Sequence, residues 1–177
     1  MPATLKRSQQ RGLGALPGAE QVPGEAILEE EQGAGAETPL VFTAHSVPVA
    51  MAEASPYVAD FTATARAVAD RLGHARWALA YQSRSGNPRD PWLEPDVSDV
   101  IRARAKDGAR HIVLAPVGFV CDHVEVLYDL DVEARWIAAE HGVTLHRAPA
   151  VNAHPEFIAM LADLVQQAQG GTEPDRA

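Results

Sequence analysis

Four short apolar runs, each nearly continuous and each followed by a stretch of helical periodicity, constrain this fold more than any other feature. They are Leu40–Ala44 (LVFTA), Trp77–Tyr81 (WALAY), His111–Ala115 (HIVLA) and Val143–His146 (VTLH). A strand with one face in water alternates apolar and polar residues, so runs without alternation predict strands covered on both faces. The stretches between them supply the cover. Ser55-Pro56 offers an N-cap and a proline at the first helical position, and Tyr57, Phe61, Ala65, Val68 and Leu72 recur at helical spacing before Gly73. Asp96 or Ser98 caps a second helix, which carries Val97, Val100, Ile101 and Ala105 and ends at Gly108. A third runs from about Asp122 to His141, its core side formed by Val124, Leu127, Leu130 at the edge, Ala134 and Ile137. A fourth follows Asn152, with Pro155 early and Phe157, Leu161, Leu164 and Val165 facing inward.

The order βαβαβαβα with short connections predicts one α/β domain, flavodoxin-like or Rossmann-like. Its four-stranded parallel sheet has right-handed crossovers and strand order 2-1-3-4. In that order the winding reverses between the first and third strands, and such folds place ligands at the carboxyl ends flanking that reversal. The first strand delivers Thr43-Ala44-His45-Ser46 there, and the third delivers Pro116 to Glu125.

Composition sets the limits of that domain. Of the 177 residues 46% are hydrophobic, enough for one sizeable core. Residues 1–38 hold six of the 13 glycines and the acidic run Glu29-Glu30-Glu31, without sustained periodicity. They are expected to be a weakly ordered leader, with at most a short docked turn at Ala26-Ile27-Leu28. Residues 169–177 read as a flexible tail, leaving 39–168 as the folded domain. A net charge of −9 without a basic cluster argues against nucleic acid as a partner. No apolar run approaches a membrane span, and the acidic N-terminal stretch has no signal-peptide core, so a cytoplasmic location is expected. The single cysteine, Cys121, excludes an internal disulfide and any metal site built from several cysteines; a lone cysteine is usually a small buried filler.

The stretch PVGFVCDHVEVLYDLDVEA (116–134) crowds Asp122, His123, Glu125, Asp129, Asp131 and Glu133 into twelve residues. Glu125, Asp129 and Glu133 are spaced by four and form one helical ridge. That ridge reads equally as a solvated face near a helix N-terminus, where the dipole favours acids, or as a cation-handling surface. A histidine at a strand end is ordinarily a structural, hydrogen-bonded residue. His45 stands out because His123 and Glu125 are expected at the neighbouring strand end. Two imidazoles and a carboxylate suit Fe²⁺ or another first-row metal, and the same groups can take protons. The loop 81–97 is either a structural lid or the wall of a flat apolar pocket, with Trp92-Leu93 inside and Arg84 or Arg89 facing an anionic ligand edge.

Four segments resemble successive signatures of the ferrochelatases, in matching order and spacing over about residues 39–165: FTAHSVP (42–48), YQSRSGNPRDPWLEPDV (81–97), the 116–134 stretch, and VNAHPEFI (151–158). The resemblance covers the carboxyl-terminal half of that family's usual chain. It implies a chelatase-type fold and insertion of Fe²⁺ into a porphyrin, protoporphyrin IX or coproporphyrin III, to form haem. It implies that His45 and Glu125 handle metal and pyrrole protons across the macrocycle, with His123 in the same catalytic motif. It further implies that Asp129 and Glu133 form a metal or proton path, and that Trp92, Ser83 and Arg84 belong to the porphyrin pocket. No cofactor beyond substrate Fe²⁺ is expected, and one cysteine rules out the iron–sulfur cluster of some members. Ala150 stands where many members have cysteine. The family's other Rossmann-like domain is missing before the histidine motif, so a homodimer or a separately encoded amino-terminal half is expected to complete the pocket. Two alternatives stay open: a half-chelatase that binds tetrapyrrole or metal without turnover, and a cobalt or nickel chelatase for another tetrapyrrole.

Overall fold

A computed structural model describes residues 37–86 and 89–170. Strands β1 (Leu40–His45), β2 (Trp77–Gln82), β3 (His111–Ala115) and β4 (Thr144–Arg147) form one all-parallel sheet. Its order is β2-β1-β3-β4, as the sequence predicts, and strand bounds agree to within one residue. Most of the expected leader (1–38, with the Ala26–Leu28 turn) and most of the 169–177 tail lie outside the described residues. Glu37 and Thr38 lie within them, Thr38 buried with its carbonyl on the His74 ring at 2.8 Å. Among the described residues no helix is long and apolar enough to cross a membrane.

Two apolar layers sandwich the sheet. On one face Leu40, Phe42, Ala44, Val113 and Ala115 meet Phe61, Ala65 and Ala69 of helix α2 (Tyr57–Leu72), which follows the short α1 (Val49–Glu53). On the other, Val41, Ala80, Ile112, Leu114 and Leu145 meet α3 (Val97–Lys106) and the helix after β3. Burying each Val, Leu, Ile or Phe among them stabilises by roughly 1.5–3 kcal/mol. Local signals set the helix ends. The Asp96 carboxylate accepts from the Ser98 amide at 2.8 Å at the start of α3, and Gly73, at φ 63°, closes α2. Helix α2 begins at Tyr57 rather than Pro56, and the Ser55 hydroxyl accepts only a long bond, 3.4 Å, from the Tyr57 amide.

Two helices differ from expectation. The third predicted helix, α4, is composite: Val124–Val126, a π-helical stretch Leu127–Ala134, and Arg135–Glu140. Of its buried residues, Val126, Leu130, Ala134 and Ala138 are spaced by four, with Ile137 beside them. A repeat of four lies between the α turn and the wider π turn, so the mixture of the two keeps this row against the sheet. Leu130, Ala134 and Ile137 are buried as expected and Leu127 is half-buried, but Val124, expected inside, is 79% exposed, and Val126 takes its place. The last helix, α5 (Pro155–Gly170), was expected to face Phe157, Leu161, Leu164 and Val165 inward. Phe157 is half-buried, but Leu161, Leu164 and Val165 are exposed, as are Ile158 and Met160. Amphipathic periodicity marks an apolar face without specifying what covers it, and the sheet's two faces are already occupied by α2, α3 and α4.

Candidate functional site at the carboxyl ends of β1 and β3

The site is built by two close backbone approaches. The turn after β3 crosses the end of β1, with the Gly118 amide donating to the Thr43 carbonyl at 3.0 Å. A Cβ at Gly118 would lie 2.4 Å from the Ala44 Cβ and 2.6 Å from its Cα, so only glycine fits unless backbone moves. The loop after β2 is stitched to the chain after β1: Leu93 N to Val47 O at 3.0 Å, Val49 N to Pro91 O at 2.9 Å, and the Ser46 hydroxyl to Leu93 O at 2.9 Å. This seats the half-buried Trp92 beside the site. Gly86 leaves the room for its indole, because a Cβ there would lie 2.1 Å from the ring.

These approaches bring His45 and Glu125 together, Nε2 to Oε1 at 3.3 Å, both side chains partly exposed. The other ring nitrogen, Nδ1, lies against the Ser46 carbonyl. A carbonyl only accepts, so Nδ1 carries the hydrogen, and in the neutral ring Nε2 is then an acceptor. It faces a carboxylate, also an acceptor. Two facing acceptors at that distance are placed where both could contact one cation. Tyr57 steadies this strand end from below, its hydroxyl donating to the His45 carbonyl at 2.8 Å. Burial first, and the neighbouring Tyr81 second, push the Tyr57 phenol above its ordinary value; burial does the same to Tyr81.

The other residues singled out by sequence divide by role. His123 caps α4: its Nδ1 accepts from the Glu125 amide at 3.2 Å, and its ring packs edge-on against Phe119. Asp129 reaches across to accept from the Ser83 hydroxyl, and Ser83 has φ 62°, a left-handed conformation that a side chain makes costly. Arg84 is exposed and donates to the Asp90 carbonyl at 3.3 Å, and Glu133 is exposed. Cys121 is exposed rather than a buried filler. Among the described residues no group of three or more His, Cys, Asp or Glu is arranged to hold a metal ion, so His45, His123 and Glu125 do not converge as a ready-made triad. Sequence reasoning missed Tyr57, Gly118 and Arg147. The first was read only as a core residue, and the glycine carried no signal beyond its position in a turn.

The apolar surface beside the pair is open. Val120, Val124 and Tyr128 are exposed along the rim, next to the partly buried Phe119 and Leu93.

The family model described as ferrochelatase matches residues 21–169. A ferrochelatase of Rhodopirellula baltica is 47% identical over 137 residues, covering 76% of this chain and 39% of that relative. The coproporphyrin III ferrochelatase of Propionibacterium freudenreichii subsp. freudenreichii is 47% identical over 148 residues, 77% of this chain and 42% of its own. That of Mycolicibacterium paratuberculosis is 47% identical over 140 residues, with the same two shares. The chain thus spans about two fifths of the length of these relatives.

Proposed function

Because this chain belongs to the ferrochelatase family, we propose that it inserts Fe²⁺ into a porphyrin to form haem. One observation carries the reading: His45 Nε2 and Glu125 Oε1 face each other at 3.3 Å, close enough to act together on one cation. Metal insertion is an exchange of such cations. One dication enters the macrocycle and two pyrrole protons leave, so total charge balances. His45 takes one proton at Nε2 and Glu125 the other at its carboxylate, and both groups are also suited to hand over the metal. His123 holds the Glu125 backbone in place. Asp129 and the exposed Glu133 carry metal or protons between this pair and solvent.

Planar pyrroles resist both exchanges unless the ring is bent, and that strain is drawn from contacts along its edge. Trp92 and Ser83 line the slot on the β2 side, and the exposed guanidinium of Arg84 suits a propionate. The names of the Propionibacterium and Mycolicibacterium relatives favour coproporphyrin III over protoporphyrin IX. The exposed apolar rim of Val120, Val124 and Tyr128 supports a second wall. A second copy of this chain, or a separately encoded amino-terminal half, would provide it. Chain that binds porphyrin without turnover is the competing reading where that wall is absent, and a cobalt or nickel chelatase is the other.

Purified protein given Fe²⁺ and coproporphyrin III without oxygen, alone and with an amino-terminal half from a relative, decides among these. The expected result is the iron porphyrin (coprohaem), its formation lost at least about a hundredfold in His45→Ala. Activity that survives the substitution defeats the assignment of His45. A Soret shift without iron insertion supports binding alone, and faster insertion of Co²⁺ or Ni²⁺ than Fe²⁺ moves the reading to the other metals.

A further inference from the structure

We propose that Arg147 is a positioning residue that pins the segment carrying His123, Glu125 and Asp129 at both ends. Arg147 is the last residue of β4, and its side chain continues the row of Leu145 on the face that α4 covers. It is 2% exposed. Its Nη1 donates to Asp122 Oδ1 at 2.8 Å and its Nε to Asp131 Oδ1 at 2.7 Å, and those two carboxylates are 9% and 6% exposed. Asp122 immediately precedes the cap of α4, and Asp131 lies inside its π-helical stretch. One planar guanidinium therefore fixes the spacing of two points nine residues apart, with His123, Glu125 and Asp129 between them.

The Asp122 end is held further. Its Oδ1 also accepts from the Ala150 amide at 3.2 Å, and its Oδ2 from the Asn152 side-chain amide at 2.8 Å. The Asn152 carboxamide oxygen in turn accepts from the Asp122 amide at 2.9 Å, and the Asn152 amide donates to the Val120 carbonyl at 2.9 Å. The turn after β3 is thus tied to the turn after β4, with Asn152 in a left-handed conformation, φ 49°. At the other end, Arg135 Nη2 stands 3.8 Å from Asp131. Burial alone lowers the basicity of Arg147, yet the bond and charge of Asp131, then of Asp122, outweigh it, so the guanidinium stays charged.

Buried ion pairs are a poor source of net stability, because desolvation offsets most of the attraction. What this one adds is placement. A π-helical stretch has wider turns than its α-helical neighbours, so a change to their register would rotate the side chains along it. A slide by one residue would turn Glu125 away from His45 and Asp129 away from Ser83. Two pins on one rigid fork oppose that slide.

The inference uses the proposed chemistry only for what His45 and Glu125 do, so its test has an arm independent of turnover. Amide hydrogen exchange is followed in the wild type, in Arg147→Met, and in a triple variant, Arg147→Met with Asp122→Asn and Asp131→Leu, which removes the buried charges together. Arg147→Met should speed exchange about tenfold or more in residues 119–131 and 148–153, leaving β1, β2 and α2 unchanged. The triple variant should recover the thermal midpoint but keep the fast exchange, and where wild type makes haem, lose kcat with KM for the porphyrin nearly unchanged. Exchange that rises evenly over the sheet, or a triple variant with wild-type exchange in 119–131, overturns the proposal. Wild type without turnover overturns the functional reading alone, and the exchange arm still decides the role of Arg147.

Discussion

Helices α4 and α5 both follow a strand of the same sheet and both carry an apolar stripe, yet they meet opposite fates. Helix α4 lies on the sheet with Leu130 fully buried, and the Arg147 fork holds it. Helix α5 has comparable residues, Leu161 and Leu164, and leaves them exposed. The difference lies not in the helices but in the surfaces offered to them. Between α3 and β4 the sheet presents Ile112, Leu114 and Leu145 to α4. By the time the chain reaches Pro155 both faces are taken. An apolar stripe is a demand for a partner, and only tertiary structure says whether the demand is met.

The largest effect breaks this comparison directly. Leu130→Ala removes a side chain with no exposed surface and should cost about 3–5 kcal/mol, measured by urea unfolding. Leu164→Ala, half exposed on α5, should cost no more than about 0.5 kcal/mol in the isolated chain. If Leu164→Ala costs as much as Leu130→Ala, α5 is covered in solution and the contrast between the two helices disappears.

That contrast also shows what a sequence of this kind discloses. Strands and their order were legible because unbroken apolar runs leave little choice of sheet, and because βαβ connections have one hand. His45 and Glu125 were legible because strand order alone brings the ends of β1 and β3 together. The wide turns of α4 were not, since a spacing of four between Val126, Leu130 and Ala134 fits both helix types over short lengths, and Val124 was assigned to the core instead. Arg147 gave no signal at all: an arginine ending a strand reads as surface. Its partners were visible only as members of an acidic crowd. The structure resolves that crowd into separate duties. Asp122 and Asp131 are buried on Arg147, His123 caps a helix, Glu125 faces His45, Asp129 meets Ser83, and Glu133 is exposed.

A middle-sized effect sharpens the crowded side of the comparison. Gly118→Ala sets a Cβ 2.6 Å from the Ala44 Cα, against backbone that cannot swing away. Forcing the turn after β3 off the end of β1 should cost about 1–3 kcal/mol. On the proposed function, iron insertion should fall by more than that stability loss explains, since the same displacement separates Glu125 from His45. The check is activity measured well below the variant's thermal midpoint.

The smallest effect is a pH dependence, and it belongs to the layer beneath the site rather than to either helix. Tyr57 and Tyr81 are pushed above their ordinary value, mainly by burial. An unfolded tyrosine releases its proton near pH 10, while the folded protein holds these two longer. In that window the folded state binds more protons than the unfolded state, so stability falls as pH rises. The contribution is fully present below about pH 10 and is lost as pH climbs toward the folded values. Urea midpoints should therefore be flat from about pH 7 to 9 and decline above that range. Tyr57→Phe should shallow the decline while removing the hydroxyl that holds the His45 carbonyl at 2.8 Å. Hydrogen exchange locates the loosening. It should begin where β1 meets α2, leaving the Arg147-pinned segment closed, because an arginine held above its ordinary value stays charged throughout that range. Loosening that starts instead at residues 119–131 would mean the two ends of the site are not independently held.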